Sequence, residues 1–411
     1  MGRPRGRGVG AKPSAGLTGP DKVLLYGFAA LALPSLATIQ ARPTIRYDKF
    51  VVLIVLLAAF VGFHRPRDRR PLATWLLLSL GYLTAKGVTL FMGGHPASAS
   101  DAIQAYKAYL FLPVIAIFLA RRWFSGPGLA SVLKLLIAVF LVKYSAVIAA
   151  GGERPVVWYE NNFELMAPIG LLYVAHAHLG RNKLRWVAAL LCVTILSGSR
   201  SSAVELLLVI AAIYLRNPLR DVLPKLLGVG SATFALVHLV AQRFGDAHVT
   251  GVDRLHFLDV FQAESAAWGV GNWLLGTEPL TPLSGWACSE LASYDGLFSV
   301  ANPDVCYSVI LHSYILRGLW DQGLLGLVFL VVFLARALVH SGANRLDRWV
   351  LLGIGLINSL SVSAFNSEYF LLLMVCAVGL DRSDEQAAIS PSVDLNRQVS
   401  YHHFAAGPSQ S

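Results

Sequence analysis

Residues 129–150 read LASVLKLLIAVFLVKYSAVIAA, and the only charged residues in this run are Lys134 and Lys143. A helix of this length rises about 33 Å, enough to cross the roughly 30 Å hydrocarbon core of a bilayer. Hydrocarbon offers no hydrogen-bond partners, so each backbone amide must be satisfied within its own segment. The run therefore predicts a transmembrane helix. Transmembrane β-strands, by contrast, alternate over about ten residues.

Comparable apolar runs recur along most of the chain. Of its 411 residues, 55% are hydrophobic and 14% are charged, whereas soluble domains carry roughly 25% charged residues. The predicted crossings are 23–41, 48–64, 71–92, 106–121, 129–150, 162–180, 184–198, 200–216, 222–242, 311–335, 347–363 and 366–381. The sequence predicts an all-α polytopic membrane protein of about twelve transmembrane helices, with one long periplasmic loop.

The predicted crossings divide the chain into five segments. Residues 1–22 and 382–411 are polar and lack apolar periodicity, which predicts disordered cytoplasmic tails. Residues 23–242 are predicted to form a first bundle of about nine helices. Residues 243–310 form the long loop region, and residues 311–381 the C-terminal transmembrane helices.

The net charge of +10 is distributed unevenly between the two sides of the predicted membrane. With the N-terminus in the cytoplasm, roughly 22 of the 34 Lys and Arg residues lie on the inner side and roughly 8 on the outer side. This asymmetry follows the positive-inside rule, and it places both termini in the cytoplasm and the long loop outside. The membrane topology explains why the chain has more Lys and Arg than Asp and Glu residues, so we expect no nucleic-acid partner.

The long loop is rich in aromatic residues and contains two cysteines. Trp268 and Trp273 offer flat apolar surfaces on which sugar rings stack, although Trp residues also form interfacial belts. Cys288 and Cys306 lie on the oxidising side of the membrane, which allows a disulfide between them. The two other cysteines, Cys192 and Cys376, fall in apolar runs and are expected to pack as small hydrophobic residues.

Ionisable residues recur within the predicted helices or at their ends, mostly toward the outer side. They are Lys86, Lys143, Glu164, Arg200, Glu205, Arg317, Asp321 and Glu368. Charges at such depths are costly and mark sites, pathways or internal pairs. Cations facing the outer leaflet suit an anionic lipid such as a lipid diphosphate. Arg317 and Asp321 could instead neutralise each other, and Lys143 could extend its amine to the interface.

Three motifs surround the long loop in a fixed order. They are Ser197-Gly198-Ser199-Arg200-Ser201-Ser202, Arg254 with Trp268 and Trp273-Leu274-Leu275-Gly276, and His312-Ser313-Tyr314-Ile315-Leu316 continuing as Asp321-Gln322-Gly323. A weaker fourth motif, Glu160-Asn161-Asn162-Phe163, begins the sixth predicted helix. Together, over residues 150–340, they resemble the bacterial O-antigen ligase and Wzy-type polysaccharide polymerase superfamily.

The chain departs from the pattern of this superfamily in three places. The family commonly has His-Asn where this chain has His312-Ser313, and it often has Glu in place of Asp321. The stretch around Gly276 runs into Glu278-Pro279 instead of a Gly-x-Gly continuation. These differences leave the acceptor open.

The resemblance implies a GT-C-like bundle in the bacterial inner membrane that acts at its periplasmic face. The implied reaction transfers a glycan from undecaprenyl diphosphate to an acceptor hydroxyl, without metal or cofactor. The implied partners are the lipid-linked donor, a glycan or lipid A-core acceptor, membrane lipid and other proteins of a polysaccharide assembly complex. The sequence contains no Asp-x-Asp, His-Glu-x-x-His or phosphate-cradling Gly-Lys-Ser motif.

Each predicted site residue has a chemical role in this reaction. Negative charge grows on the departing diphosphate, and guanidinium groups bind phosphate in bidentate fashion. Arg200 and Arg254 are therefore predicted as catalytic and diphosphate-binding residues, joined in diphosphate binding by Arg317 and Lys143. His312 is predicted to orient or deprotonate the acceptor hydroxyl, the alternative being a histidine that caps the start of a helix. The predicted glycan-binding residues are Tyr314, Trp268, Trp273 and Asn162.

Other functions also fit a many-helix chain with internal cations. A flippase for the same lipid-linked glycan would have internal repeats and short loops, and neither is visible in this sequence. A peptidoglycan polymerase of the rod-shape type would carry an acidic outer-loop signature, which is not evident. Between polymerase and ligase the sequence slightly favours a polymerase, because His312-Ser313 and the long loop diverge from the ligase form.

Overall fold

The structure, a computed structural model, describes residues 16–38, 47–62, 69–92, 98–152, 154–215, 230, 253–299 and 302–382. This part of the chain is helical and contains no strand. The helices are α1 (Gly19–Leu36), α2 (Asp48–Gly62), α3 (Arg69–Met92), α4 (Ala99–Leu119), α5 (Gly126–Ala149), α6 (Asn161–Glu164), α7 (Met166–Ala175), α8 (Lys183–Ser197), α9 (Arg200–Leu215), α10 (Asp253–Ser265), α11 (Val270–Leu275), α12 (Gly285–Glu290), α13 (Tyr314–His340), α14 (Arg345–Ser359) and α15 (Glu368–Gly379). Short 3₁₀ segments lie at His176–Asn182, Ala292–Leu297, Ser308–Leu311 and Ala364–Asn366.

Three of these helices, α4, α5 and α13, are long and apolar enough to cross a membrane. They contain 21, 24 and 27 residues, which correspond to about 32, 36 and 40 Å. The apolar run 129–150 lies almost entirely within α5. The chain is thus an all-helical membrane protein over the residues that the structure describes.

The predicted crossings and the observed helices differ in places. The sixth prediction, 162–180, is divided between α6, α7 and a 3₁₀ segment, and the twelfth, 366–381, contains only the 12 residues of α15. The ninth, 222–242, lies outside the described residues, as do 1–15 and 383–411 of the predicted tails. The number of crossings and the positions of the termini stay predictions.

The centre of the bundle is formed by α7 and α15, whose residues are all buried. Because every residue of these two helices is covered by neighbouring side chains, the two helices lie in the interior of the bundle. The two helices pack against each other at Gly170, where an added Cβ would lie 2.3 Å from Cδ1 of Leu373. A glycine at this contact lets neighbouring helices approach closely. Cys376 is buried in this core as expected, whereas Cys192 is exposed on α8.

The described residues of the region predicted as a long loop fold into short helices with an apolar core of their own. Phe257 and Phe261 of α10 are buried there together with Leu291 and with Trp320 from α13. A disulfide joins Cys288 in α12 to Cys306. We call residues 253–299 and 302–311 the helical lid. Its core includes a side chain of α13, so the helical lid is attached to a membrane-spanning helix.

Removing the disulfide is expected to destabilise the helical lid. The cysteines are 18 residues apart, and closing a loop of about that size stabilises a fold by about 3 kcal/mol. The double substitution Cys288→Ser and Cys306→Ser should lower the melting temperature of the detergent-solubilised protein. Cys192→Ser, which removes a free thiol, is the control and should melt like the unaltered chain. Equal melting of all three proteins would contradict the prediction.

Candidate functional site

A cavity of about 640 Å³ lies between α2, α4, α13 and the start of α15. Its lining carries both signs of charge. The ionisable side chains around it are Asp48, Lys49, Lys107, His312, Arg317 and Glu368. The amide and hydroxyl groups around it belong to Ser100, Gln104, Ser363, Asn366 and Ser367. Apolar side chains such as Val52 and Phe111 complete the wall, so the cavity can hold a ligand that is partly charged and partly apolar.

His312 lies in a strained turn on the wall of this cavity. Its φ of +57° and ψ of −41° are rare for a residue other than glycine. The amide of Ser313 donates to the carbonyl of Leu311 at 2.5 Å, which closes a γ-turn centred on His312. The hydroxyl of Ser363 donates to the His312 carbonyl at 3.1 Å. Backbone strain of this kind persists only where surrounding contacts hold it, and it is frequent at functional sites.

The alternative role for His312, capping a helix, does not match its position. The N-cap residue of α13 is Ser313, and its side chain makes no capping hydrogen bond. The His312 ring instead faces the helical lid, with its centroid 6.1 Å from that of Phe257. His312 therefore lies where the helical lid, the cavity and the start of α13 meet.

Arg317 lies near the start of α13, and its guanidinium is fixed from several sides. It donates to the carbonyl of Gln104 and to the hydroxyl of Ser363 at 3.4 Å. Its Nε lies 3.9 Å from Oδ2 of Asp321, which accepts a hydrogen bond from Ser308 at 2.6 Å. Arg317 thus lines the cavity and also forms the internal pair with Asp321 that the sequence offered as an alternative.

Asn366 links the cavity wall to α4. Its Oδ1 accepts from the amide of Ala108 at 2.7 Å, and its Nδ2 donates to the carbonyl of Gln104 at 3.0 Å. A regular helix would join these two backbone groups directly. The Asn366 carboxamide therefore bridges two backbone groups of α4 that would otherwise bond to each other. The Gln104 carbonyl accepts hydrogen bonds from both Asn366 and Arg317.

Lys107 is a cavity residue that the sequence did not reveal. Its Nζ lies 2.5 Å from Oε1 of Glu368, and the two side chains are 22% and 6% exposed. Glu368 was among the ionisable residues noted in the sequence, but Lys107 lies 261 positions earlier. The available signal was a lysine in the first turn of the predicted crossing 106–121. Its ion pair with Glu368 can be recognised only in the folded structure.

The first and fourth motifs contact each other beside the cavity. The Ser199 hydroxyl donates to Oδ1 of Asn162 at 2.7 Å, and Nδ2 of Asn161 donates to the carbonyl of Ser197 at 2.8 Å. Tyr159 and Phe163, from the same segment as Asn162, line the cavity. Arg200 follows Ser199 at the start of α9, so it lies next to the segment that forms this wall. Arg200 and Asn162 themselves are not among the lining residues.

The second and third motifs meet through two glycines. Gly276 and Gly323 both have positive φ, +82° and +64°. A Cβ on Gly323 would lie 2.4 Å from the amide nitrogen of Gly276. The amide of Thr277 donates to the carbonyl of Trp320 at 2.7 Å. The close approach of Gly276 to Gly323 and the hydrogen bond from Thr277 to Trp320 together attach the helical lid to α13.

The predicted sugar-stacking residues lie away from the cavity lining. Trp268 packs against Trp273 and Trp320, with ring centroids 5.1 and 5.2 Å apart. Trp273 remains 42% exposed. Tyr314 is buried, and its ring packs edge-on against Phe365 at 5.2 Å. In the structure Trp268 connects the helical lid to Trp320 of α13, and Tyr314 connects α13 to the 3₁₀ segment Ala364–Asn366.

Lys143, like Arg200, is a predicted diphosphate ligand that lies outside the cavity lining. Only the backbone of Arg254 is described, in α10, and its side chain lies outside the described part. Lys143 is buried in α5, where its amine donates to the carbonyl of Ser35 at 2.7 Å and to that of Thr38. These carbonyls lie at the C-terminal end of α1, where a cation satisfies free backbone acceptors and the helix dipole.

Replacing Lys143 by methionine is expected to destabilise the fold by about 1.5–3 kcal/mol, the range for hydrogen bonds to a charged group. The expected readout is a lower melting temperature in detergent. Lys134→Met is the matched control, because Lys134 lies on the same helix with its amine 6.0 Å from the Trp186 ring. A loss of function without a change in melting temperature would favour the predicted role of Lys143 in binding diphosphate.

Comparisons of the chain with protein-family models, with curated proteins and with solved structures find no match. The relation to the O-antigen ligase and Wzy-type polymerase superfamily is therefore a resemblance between motifs. In the structure, the first motif contacts the fourth and the second contacts the third. His312 of the third motif and Arg317, which directly follows Leu316 of that motif, line one cavity.

Proposed function

We propose that this chain is an inner-membrane glycosyltransferase that transfers an undecaprenyl-diphosphate-linked glycan to an acceptor hydroxyl. The observation that carries the proposal is that His312, Arg317 and Lys107 line one cavity. A base, a guanidinium and an ammonium group are the groups that transfer from a diphosphate donor needs. The cavity lies beside α4 and α13, two helices able to cross a membrane, where the polyprenyl tail of a donor would reside.

The proposed reaction is a displacement at the anomeric carbon of the donor sugar. The acceptor oxygen forms a bond to that carbon while the bond to the diphosphate oxygen breaks. His312 accepts the proton of the acceptor hydroxyl, and the electron pair of the broken bond leaves with the diphosphate. Arg317 and Lys107 stabilise the charge that develops on the phosphate oxygens. A diphosphate is a good leaving group, so neutralising its charge matters more than protonating it.

The proposed topology places the helical lid and the cavity on the periplasmic side. About twelve crossings, with both termini in the cytoplasm, follow from the positive-inside distribution of Lys and Arg. Two observations support this orientation. Leu297 and Val309 of the helical lid line the cavity together with His312, and the helical lid contains the disulfide, which suits an oxidising compartment.

The acceptor decides between two forms of the enzyme. A polysaccharide polymerase would transfer the growing glycan to another lipid-linked repeat unit, and a ligase would transfer it to lipid A-core. We favour the polymerase, because the His312-Ser313 pair differs from the form common among ligases. Either form would work with other proteins of a polysaccharide assembly complex.

Deletion of the gene, followed by analysis of surface and lipid-linked glycans, tests the proposal. Single repeat units on undecaprenyl diphosphate are expected for a missing polymerase, and long chains retained on that lipid for a missing ligase. A lipid-linked glycan trapped on the cytoplasmic face would identify a flippase. Unchanged glycans in the deletion strain would overturn the proposal.

A further inference from the structure

Two glutamates are completely buried in the bundle, and their surroundings differ. Glu164, at the end of α6, is 0% exposed. Its carboxyl oxygens accept hydrogen bonds from three consecutive backbone amides, those of residues 157–159, at 2.8, 2.8 and 3.3 Å. The hydroxyl of Tyr144 donates to it at 2.9 Å. Four donors around one carboxyl group suit an ionised carboxylate, which can only accept.

Glu205, on α9, is also 0% exposed but lacks such a set of donors. Its Oε1 accepts a hydrogen bond from Nδ2 of Asn358 on α14. Its Oε2 and the Oδ1 of Asn358 are buried without a hydrogen-bond partner among the described residues. Both of these oxygens are acceptors when the carboxyl is ionised. A protonated Oε2 would be a donor, and Oδ1 of Asn358 would be its acceptor.

No ion pair of Glu205 is present within the described part of the chain. The other ionisable groups on α9 are Arg200 and Tyr214, and Arg200 precedes Glu205 by five residues, about 140° around the helix. Those on helices packed against α9 are Tyr173 on α7, Lys183, Arg185 and Cys192 on α8, and Arg345, Asp347 and Arg348 on α14. The charged residues of α14 precede Asn358 by ten residues or more, about 15 Å along the helix axis. The charged residues of α8 lie at its first turn, where Lys183 contacts the ring of Tyr214 near the far end of α9. A buried carboxylate without a cation is costly.

We propose that Glu205 is a proton-binding site inside the membrane and that its neutral carboxyl forms a two-bond cyclic pair with the carboxamide of Asn358. One bond runs from Nδ2 to Oε1 and the other from the protonated Oε2 to Oδ1. A single proton thus gives a hydrogen bond to each of the two oxygens that lack one, Oε2 of Glu205 and Oδ1 of Asn358. This inference stands without the proposed glycosyl transfer.

The cyclic pair joins α9, which begins at the predicted catalytic residue Arg200, to α14, whose C-terminal end contacts the turn that contains His312. α9 begins at Arg200, less than two turns before Glu205. α14 ends at Ser359, whose carbonyl accepts a hydrogen bond from the Ser313 hydroxyl at 3.0 Å, and Ser313 follows His312. The proton on Glu205 therefore helps to hold the Arg200 turn and the His312 turn in a fixed relation.

Infrared spectroscopy of the purified full-length protein tests the proposal at neutral pH. The carbonyl stretch of a protonated carboxyl group lies at a higher frequency than the carboxylate bands. The spectrum of the unaltered protein minus that of Glu205→Gln is expected to show one protonated-carboxyl band. The matched variant Glu164→Gln should instead remove carboxylate bands. Carboxylate bands in the Glu205→Gln difference would overturn the proposal.

The variant Asn358→Ala identifies the hydrogen-bond partner. Without the carboxamide, the Glu205 carbonyl loses its donor, and the protonated-carboxyl band is expected to move to a higher frequency. An unmoved band would show that Asn358 is not the partner. Asn358→Ala also carries the test if Glu205→Gln does not fold, because its band belongs to Glu205 itself. Size-exclusion chromatography and circular dichroism establish that each variant is folded.

Discussion

Replacing His312 by alanine is expected to lower glycan transfer by about 10²–10⁴-fold, the usual contribution of a general base. His312 and Arg317 both line the cavity, and alanine has no group that accepts a proton. Alanine is no better suited than histidine to a φ of +57°, so the fold should be nearly as stable as before. Glycan transfer from a lipid-linked donor is measured with the purified protein. The melting temperature is measured in parallel and shows whether the variant is as stable as the unaltered chain.

The variant His312→Gly distinguishes the catalytic role of the imidazole from the effect of backbone strain on stability. Glycine adopts positive φ without a steric penalty, and a strained residue costs of order 1–3 kcal/mol. This variant should therefore melt at a higher temperature than the unaltered chain while transferring as little glycan as His312→Ala. His256→Ala changes a half-exposed histidine of the helical lid and should leave transfer intact. Full activity in His312→Gly would remove the assigned role of the imidazole.

Replacing Gly323 by alanine is expected to detach the helical lid from α13 and to cost at least about 3 kcal/mol. The φ of +64° and ψ of −175° at Gly323 lie in a region that is essentially restricted to glycine. An added Cβ would lie 2.4 Å from backbone atoms of Leu274 and Gly276, and backbone atoms cannot turn aside as a flexible side chain can. The contact between Thr277 and Trp320 would be lost with it.

Gly271→Ala is the matched control for this substitution. Gly271 lies on α11 in the same segment, has open space around its Cα, and occupies a helix, where alanine is favoured over glycine by about 1 kcal/mol. Limited proteolysis of the detergent-solubilised protein should cut the helical lid readily in Gly323→Ala and not in Gly271→Ala. Equal resistance of the two variants would show that the glycine contact is dispensable.

The sequence predicted the helical class of this fold well, but it could not predict which helices are central. Hydropathy marks the long apolar runs of α5 and α13 because their length and composition are local properties. The short helices α7 and α15 are just as apolar, so the sequence presented them as crossings like the others. Their burial on every side depends on close contacts such as that of Gly170 with Leu373, which join residues about 200 positions apart.

The candidate site was predictable where its residues are near each other in sequence. Arg317 directly follows the motif His312–Leu316 and is five residues from His312, so one segment brings both residues to the cavity. Lys107 and Asn366 reach the same cavity from distant segments, and no local pattern links them. Lys143 was predicted to bind diphosphate from its charge and depth. Its contacts with Ser35 and Thr38, more than 100 residues away, could be seen only in the fold.

The helix α15 is too short to enter a bilayer by itself. Its twelve residues rise about 18 Å, well short of the hydrocarbon core, and none of them faces outward. Its position in the bundle therefore depends on the neighbouring helices, which cover it on every side. A chain that ended before Glu368 would lack this central helix and, with it, the two residues Glu368 and Tyr369 that line the cavity.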